Sequence, residues 1–295
     1  MSSFDTLQSR FVDRELQASG LAGAAILQPA ALLAAGDDAA LWTWFDAIPQ
    51  PGPVYAPAGP DFFSAYAAVI GALVPSGGPL DPIAAAQARL AAWGTAPPTW
   101  SVGAAGLSRA LAAAPGLTFD FAEAAAPGPG YWGLVGGAPR GPDAIFAGGT
   151  VRAKVAWDHG LAFAPQPGDW YVSSALSLAY RMPGKAPWNP DAAVTWDTAF
   201  GPGGTLERMT AGLLVVSGLA VSASSDAPFD AASQALVRAG AAVAGIWPYH
   251  LPASAATTTV AFDAAGCLRL TVAGKPKAAI AVAAIVQDAA GYLGL

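Results

Sequence analysis

The pentapeptide Gly106-Leu-Ser108-Arg-Ala110 has the small-x-Ser-x-small form of a nucleophile elbow. Such residues are needed because the serine sits on a strained strand-to-helix turn where a bulky neighbour would clash. Thr99–Val102 reads as a short strand before it and Leu107–Ala114 as a helix after it. Downstream come Asp226 and Asp230 and then His250, which permits the chain order Ser, Asp, His. Ser108 would be the nucleophile, His250 its base and Asp226 the orienting acid. Histidine chemistry has only His159 and His250 to draw on. Asp158-His159-Gly160 reads as a turn, where polar residues belong for backbone reasons alone. His250 follows Trp247-Pro-Tyr249 in an aromatic loop. Neither an HxH nor an HxxxH spacing is present and Cys267 is the single cysteine, so no metal site and no disulfide framework is assigned.

A pair of carboxylates for glycoside hydrolysis could be drawn from Asp158, Asp169, Asp197 and Asp226, all beside strands or turns near aromatics, though nothing singles out two of them. Gly133-Leu-Val-Gly136-Gly137 and Gly201-Pro-Gly203-Gly204 are glycine-rich. Neither is followed by Lys-Ser/Thr, and neither matches the dinucleotide fingerprint, so no cofactor is implied.

Ten tryptophans stand out. Trp42 lies beside the apolar stripe of its helix, while Trp132 and Trp188 fall in Gly/Pro-rich loops. With Tyr131, Trp247 and Tyr249 they form the expected ligand-contacting set, because exposed aromatics offer a large flat surface at low entropy cost.

These residues stand in a chain of 295 residues with 54% hydrophobic and 12% charged residues and a net charge of −6. Such a chain needs a packed core, and excess-charge disorder is excluded. The abundance of Ala, Gly and Pro fits a GC-rich coding background. No Lys/Arg run occurs along the sequence, so nucleic acid is not an expected partner. Residues 1–20 show no Sec-type pattern, which makes the cytoplasm the default location, with release by another route left open. No apolar stretch reaches the roughly 18 residues of a spanning helix.

The elements that must position the candidates change character along the chain. Phe4, Leu7 and Phe11 suggest a first helix; Leu41, Trp44, Phe45 and Ile48 define a second behind Asp37 and Asp38. Phe62, Tyr66, Val69, Ile70 and Leu73 define a third, capped by Asp61. In the fourth, Asp81 caps, Pro82 takes the first position and Gly94 ends the run. Residues 126–150, with 8 Gly and 4 Pro, read as a connector. From 151 the period becomes two, and strands are expected over 151–157, 170–180, 194–198, 208–222, 257–262, 268–272 and 280–286. Asp263-Ala-Ala-Gly266 forms a hairpin loop, and one helix lies near 228–246. The predicted fold is α+β: a mainly helical region 1–125, the connector 126–150, and a mainly antiparallel sheet region 151–295, in one or two domains.

Three functional classes follow. The composition favours a non-enzymatic binding or self-assembling protein with an aromatic-rich, weakly charged surface, either a homo-oligomer or the partner of another protein, with an apolar or glycan ligand. The alternatives are a hydrolase using Ser108 and His250 or an Asp pair, and a membrane-active effector that inserts β-hairpins such as 210–222 and 278–286 without a transmembrane helix.

Overall fold

The computed structural model describes residues 13, 24–33, 35–49, 61–123, 132, 134, 141–240, 245–246 and 249–295. Among them are nine strands: β1 (Ala24–Leu32), β2 (Leu117–Glu123), β3 (Val151–Trp157), β4 (His159–Phe163), β5 (Arg208–Ser217), β6 (Ala220–Pro228), β7 (Ala256–Phe262), β8 (Cys267–Gly274) and β9 (Ile280–Asp288). They form two antiparallel sheets, in the orders β1-β9-β5-β4 and β2-β3-β6-β8-β7. With the helices, this makes the protein α+β.

The chain divides into two compact units. Unit one takes Met1–Ala35, Ser108–Ala162 and Leu214–Ala283; unit two takes Gly36–Leu107, Phe163–Leu213 and Ala284–Leu295. The N-terminal helix suggested by Phe4, Leu7 and Phe11 lies outside the described residues.

Unit one is organised by the five-stranded sheet. Its strands alternate with period two: Val151, Ala153, Val155 and Trp157 of β3 are buried while Arg152 and Lys154 are exposed. Val221 and Ala223 of β6 and Leu268, Leu270 and Val272 of β8 share the buried face. The helices Gly141–Ala147 and Ala231–Ala239 pack in this unit, and Phe146, Trp132, Leu134 and Val237 join the core. Burying a Val or Leu from water contributes roughly 1.5–3 kcal/mol, so the apolar face of this sheet stabilises the unit through many such side chains.

Unit two packs helices Asp38–Asp46, Phe62–Gly71, Pro82–Trp93, Ser173–Arg181 and Trp196–Phe200. Their starts follow the caps expected from sequence: Asp37 accepts from the Ala40 N–H at 2.9 Å, Asp61 from Ser64 at 2.6 Å and Asp81 from Ile83 at 2.9 Å. Gly94, at φ 65°, ends Pro82–Trp93. Trp170 is the centre of the packing, wholly buried, with its ring 5.1–5.9 Å from those of Phe62, Phe63, Tyr66, Trp100 and Tyr171. Its Nε1 donates to the Thr99 carbonyl at 2.9 Å.

Several elements differ from expectation. The strand expected over 170–180 is the helix Ser173–Arg181, and the one over 194–198 is the helix Trp196–Phe200. Val172, Leu176 and Tyr180 are four apart, so the helical period competed with the alternation, and Ala175, Leu176 and Ala179 are the buried positions. In the second case Thr195 and Thr198 form a capping box, with Thr198 N–H donating to Thr195 Oγ1 and Thr195 N–H donating to Thr198 Oγ1. The stretch 208–222 holds two strands, β5 and β6, parted at Gly218 with φ 68°. Strands β1 and β2 lie in the region expected to be helical, and the connector contains the helix Gly141–Ala147.

Leu270, 1% exposed at the middle of β8, has no room to be shortened without leaving a cavity. Leu270→Ala is expected to lower the unfolding free energy by roughly 2–5 kcal/mol, read as a fall in the urea midpoint with an unchanged slope.

Candidate functional site

The alternation that buries one face of the five-stranded sheet leaves the other to solvent, and register decides what assembles there. Asp120 of β2 is opposite Lys154 of β3, Lys154 opposite Ser222 of β6, Ser222 opposite Thr271 of β8, and Thr271 opposite Thr259 of β7. The neighbouring row runs Ala122, Arg152, Ser224, Arg269 and Ala261. Three cations therefore surround Ser222 and Ser224. With strands about 4.8 Å apart, Arg152 and Arg269 stand roughly 10 Å from each other, and Arg152 and Lys154 about 7 Å along one strand. This face lines an open cavity of about 980 Å³ whose floor between the cations is Ala and Ser.

Acids frame the cavity. Asp226 Oδ1 accepts from the Thr150 N–H at 2.6 Å, and that hydrogen bond, with Arg152 nearby, holds its carboxyl below the usual carboxylate range. Its Oδ2 is 3.8 Å from Arg152 Nη1, a long exposed pair that contributes little. Asp263 Oδ1 accepts from Ala265 and Cys267 N–H, both at 3.0 Å, closing the hairpin loop expected there. Both acids are occupied by backbone donors. Among the described residues Lys154 and Arg269 have no ion-pair partner, and these two and Arg152 are exposed. Cys267 lies on the rim with Sγ 3.3 Å from the Asp226 carbonyl. Desolvation together with Asp263 and Asp226 pushes its thiol up, away from the thiolate a nucleophile needs.

No family model, curated protein or solved structure matches the chain.

The residues proposed from sequence for catalysis belong to separate elements, Ser108 to a helix and Asp226 to β6, with His250 outside both. Ser108 is an exposed residue within the helix Ala104–Ala113 rather than on a strand-to-helix turn. The strand expected before it is a single bridge, Trp100 to Pro167. Gly106 has a packing reason instead: a Cβ there would collide with Val102 Cγ1. Among the described residues no hydrogen bond joins Ser108 to His250 or Asp226, and Asp226 serves Thr150. Asp230 caps the helix Ala231–Ala239 by accepting from Ser233 N–H at 2.7 Å. His159 Nδ1 is 2.8 Å from the Ala114 carbonyl. Among the described residues no three His, Cys, Asp or Glu side chains converge as a metal site, and no helix is long and apolar enough to cross a membrane.

The aromatic set is corrected more sharply. Trp132, Trp188 and Tyr249 are 0%, 8% and 2% exposed, so none presents a surface to a ligand. Trp132 packs edge-on against Phe146 at 5.1 Å, and Trp188 Nε1 donates to the Ala179 carbonyl at 3.0 Å. A large ring gains most when its body is dry, and at Trp188 the polar atom also meets a backbone acceptor, so these aromatics are packed inward. Trp42 is half-buried, its Nε1 donating to the Val102 carbonyl at 3.4 Å. Tyr131 and Trp247 lie outside the described residues.

Sequence reasoning missed Arg152, Lys154 and Arg269 as a group. No basic run precedes them; they converge only once β3, β6 and β8 pair in register. It also missed Asp46, at the end of Asp38–Asp46. Burial pushes that carboxyl from 3.8 up to about 6, against the Phe63 N–H that it accepts at 2.9 Å, and the charge of Asp61 pushes the same way. The folded pKa is above the unfolded one, so the associated stability is complete below pH 4 and is lost as pH rises through about 6. Asp46→Asn keeps an acceptor for Phe63 and removes the charge. The variant is expected to match the parent near pH 3.5 and to exceed it by roughly 1 kcal/mol at pH 7.5, solvent screening limiting the gain. Urea midpoints at the two pH values measure this.

Proposed function

We propose that the chain is a non-enzymatic binding protein that holds an acidic saccharide on the outer face of its five-stranded sheet. The observation that carries this reading is the setting of Arg152, Lys154 and Arg269 around Ser222, Ser224 and Thr271 on the wall of one cavity. Guanidinium groups suit carboxylates or sulfates because they can donate two parallel hydrogen bonds. The serine and threonine hydroxyls match sugar hydroxyls as both donors and acceptors. Cations about 10 Å apart across two strands suit repeated anionic groups on a hydroxylated frame better than one small ion.

Phe121, the aromatic residue of the lining, is 2% exposed with its ring in the core, so the ligand is held by charge and hydrogen bonds rather than by stacking. Binding of this kind is moderate in strength and sensitive to salt. The non-enzymatic part of the reading rests on the lining: it contains no histidine, its thiol is pushed up by desolvation, and two of its three acids, Asp226 and Asp263, are committed to backbone amides, the third, Asp120, standing opposite Lys154. Cytoplasmic residence goes with this reading, in keeping with an unpaired thiol at Cys267.

Calorimetric titration with trigalacturonate, with maltotriose as the neutral counterpart, tests the proposal. Trigalacturonate is expected to bind and maltotriose not to. Arg269→Ala is expected to weaken the acidic ligand roughly 10- to 100-fold, the loss of one charge-assisted hydrogen-bonding group. Equal binding of the neutral sugar, or full affinity in Arg269→Ala, overturns it.

A further inference from the structure

The cavity on the outer face is not uniformly basic. Arg152, Lys154 and Arg269 share its lining with Asp120, Asp226 and Asp263, so three positive and three negative groups balance there. Their placement is uneven. Asp120 stands opposite Lys154, whereas Asp226 and Asp263 meet at Cys267, whose N–H is 3.0 Å from Asp263 Oδ1 and whose Sγ is 3.3 Å from the Asp226 carbonyl. A break in register puts Asp226 there. β6 and β8 pair regularly up to Ser224 opposite Arg269, and the next pair is Pro228 opposite Cys267, so β6 advances four residues where β8 advances two. Such bulges re-aim side chains. Here the carboxylate is fixed by the Thr150 N–H, in a cradle where a Cβ on Gly149 would strike it.

Each of these two acids is held through one oxygen. Asp226 uses Oδ1 for Thr150, and Asp263 uses Oδ1 for the N–H groups of Ala265 and Cys267. A carboxylate has two accepting oxygens. Among the described residues Asp263 Oδ2 accepts no hydrogen bond, and Asp226 Oδ2 faces only Arg152, at 3.8 Å. The Thr150 hydrogen bond, with Arg152 nearby, keeps Asp226 ionised at neutral pH. Cys267 lies two residues from Arg269 on β8, about 7 Å. A negative rim thus runs one step from the row of Arg152 and Arg269, a spacing comparable to that of substituents on neighbouring sugar rings.

We infer that the saccharide held on this face is zwitterionic, a uronic acid joined to an amino sugar, with a carboxylate on Arg269 and an ammonium at Asp226 and Asp263. The inference rests on the acidic-saccharide reading and narrows it. A purely anionic chain brings carboxylates against Asp226 and Asp263 where it crosses the rim, and like charges repel there. A purely cationic chain meets the same repulsion at Arg269. An ammonium on the rim instead donates charge-assisted hydrogen bonds to the two open oxygens.

Calorimetric titration with the disaccharide of glucuronic acid and glucosamine, its amine free, and with the same disaccharide N-acetylated tests the inference. Both keep the carboxylate and they differ in one charge. The parent is expected to bind the free amine about tenfold tighter, solvent exposure limiting the gain. Asp226→Asn keeps an acceptor for Thr150 and removes the charge, and is expected to cut that preference to about threefold or less. Asp263→Asn, which keeps the acceptor for Ala265 and Cys267, is expected to do the same and stands in if Asp226→Asn does not fold. Equal binding of the two disaccharides by the parent, or a tenfold preference that survives in the Asn variants, overturns the inference and leaves the acidic-saccharide reading standing. A parent that binds trigalacturonate but neither disaccharide overturns the inference alone. Binding of none of the three overturns both.

Discussion

Carboxylate oxygens bonded to backbone N–H groups organise this molecule. Asp is far the commonest charged residue in the chain, and its side chains recur wherever a backbone donor would be stranded. Asp37, Asp61, Asp81, Asp230 and Asp288 hold helix N-termini, satisfying amides that have no partner within the helix. Others tie distant stretches of one unit: Asp38 accepts from Ala104 N–H at 2.7 Å, and Asp143 from Leu134 N–H at 3.0 Å. With so few charged side chains, ion pairs are a minor resource, and directional bonds from acid to backbone take over the task of fixing loops. Gly103 and Gly149 follow from this, since a Cβ at either would strike the carboxylate docked beside it, Asp38 or Asp226.

What was legible in the sequence divides along the same line. Caps act within three or four residues, so Asp61 before Phe62 and Asp81-Pro82 before Ile83 could be read directly. The hairpin at Asp263 was equally local. The alternation in β2 was local too, with Leu117, Phe119 and Phe121 against Thr118, Asp120 and Ala122, but it spans only seven residues directly after the Ala-rich helix Ala104–Ala113. At 173–181 two periods fitted the same residues, and packing of Ala175, Leu176 and Ala179 decided for the helix. The cluster of Arg152, Lys154 and Arg269 belongs to another category: it is a property of strand register, which no local pattern encodes. The inward turn of Trp132 and Trp188 is similar, since composition says that a loop carries a tryptophan but not which side of the loop is dry.

Register also sets how far the polar face extends. The row that begins at Asp120 and passes through Lys154, Ser222 and Thr271 ends at Thr259, on the edge strand itself. An outer face built from period-two alternation has no natural boundary at β7, so whatever lies along that edge extends the same polar plane. The core side follows the opposite rule, where Val155, Val221, Leu270 and Val272 form an apolar layer. One alternation thus separates a layer that must stay dry from a plane free to vary in chemistry, and the fold can keep the first while the second is altered residue by residue.

Cys267 gives that plane a practical property. It is the one sulfhydryl in the chain, half-buried on the rim of the cavity beside Asp226 and Arg269. A dye attached there would sit at a single defined address, within reach of whatever occupies the wall between β3 and β8. Its emission would report occupancy directly, and its own bulk would serve as a plug. Desolvation, with the neighbouring acids, pushes the thiol above its usual range, so mildly alkaline labelling would be the route to an optical sensor already addressed by the native sequence.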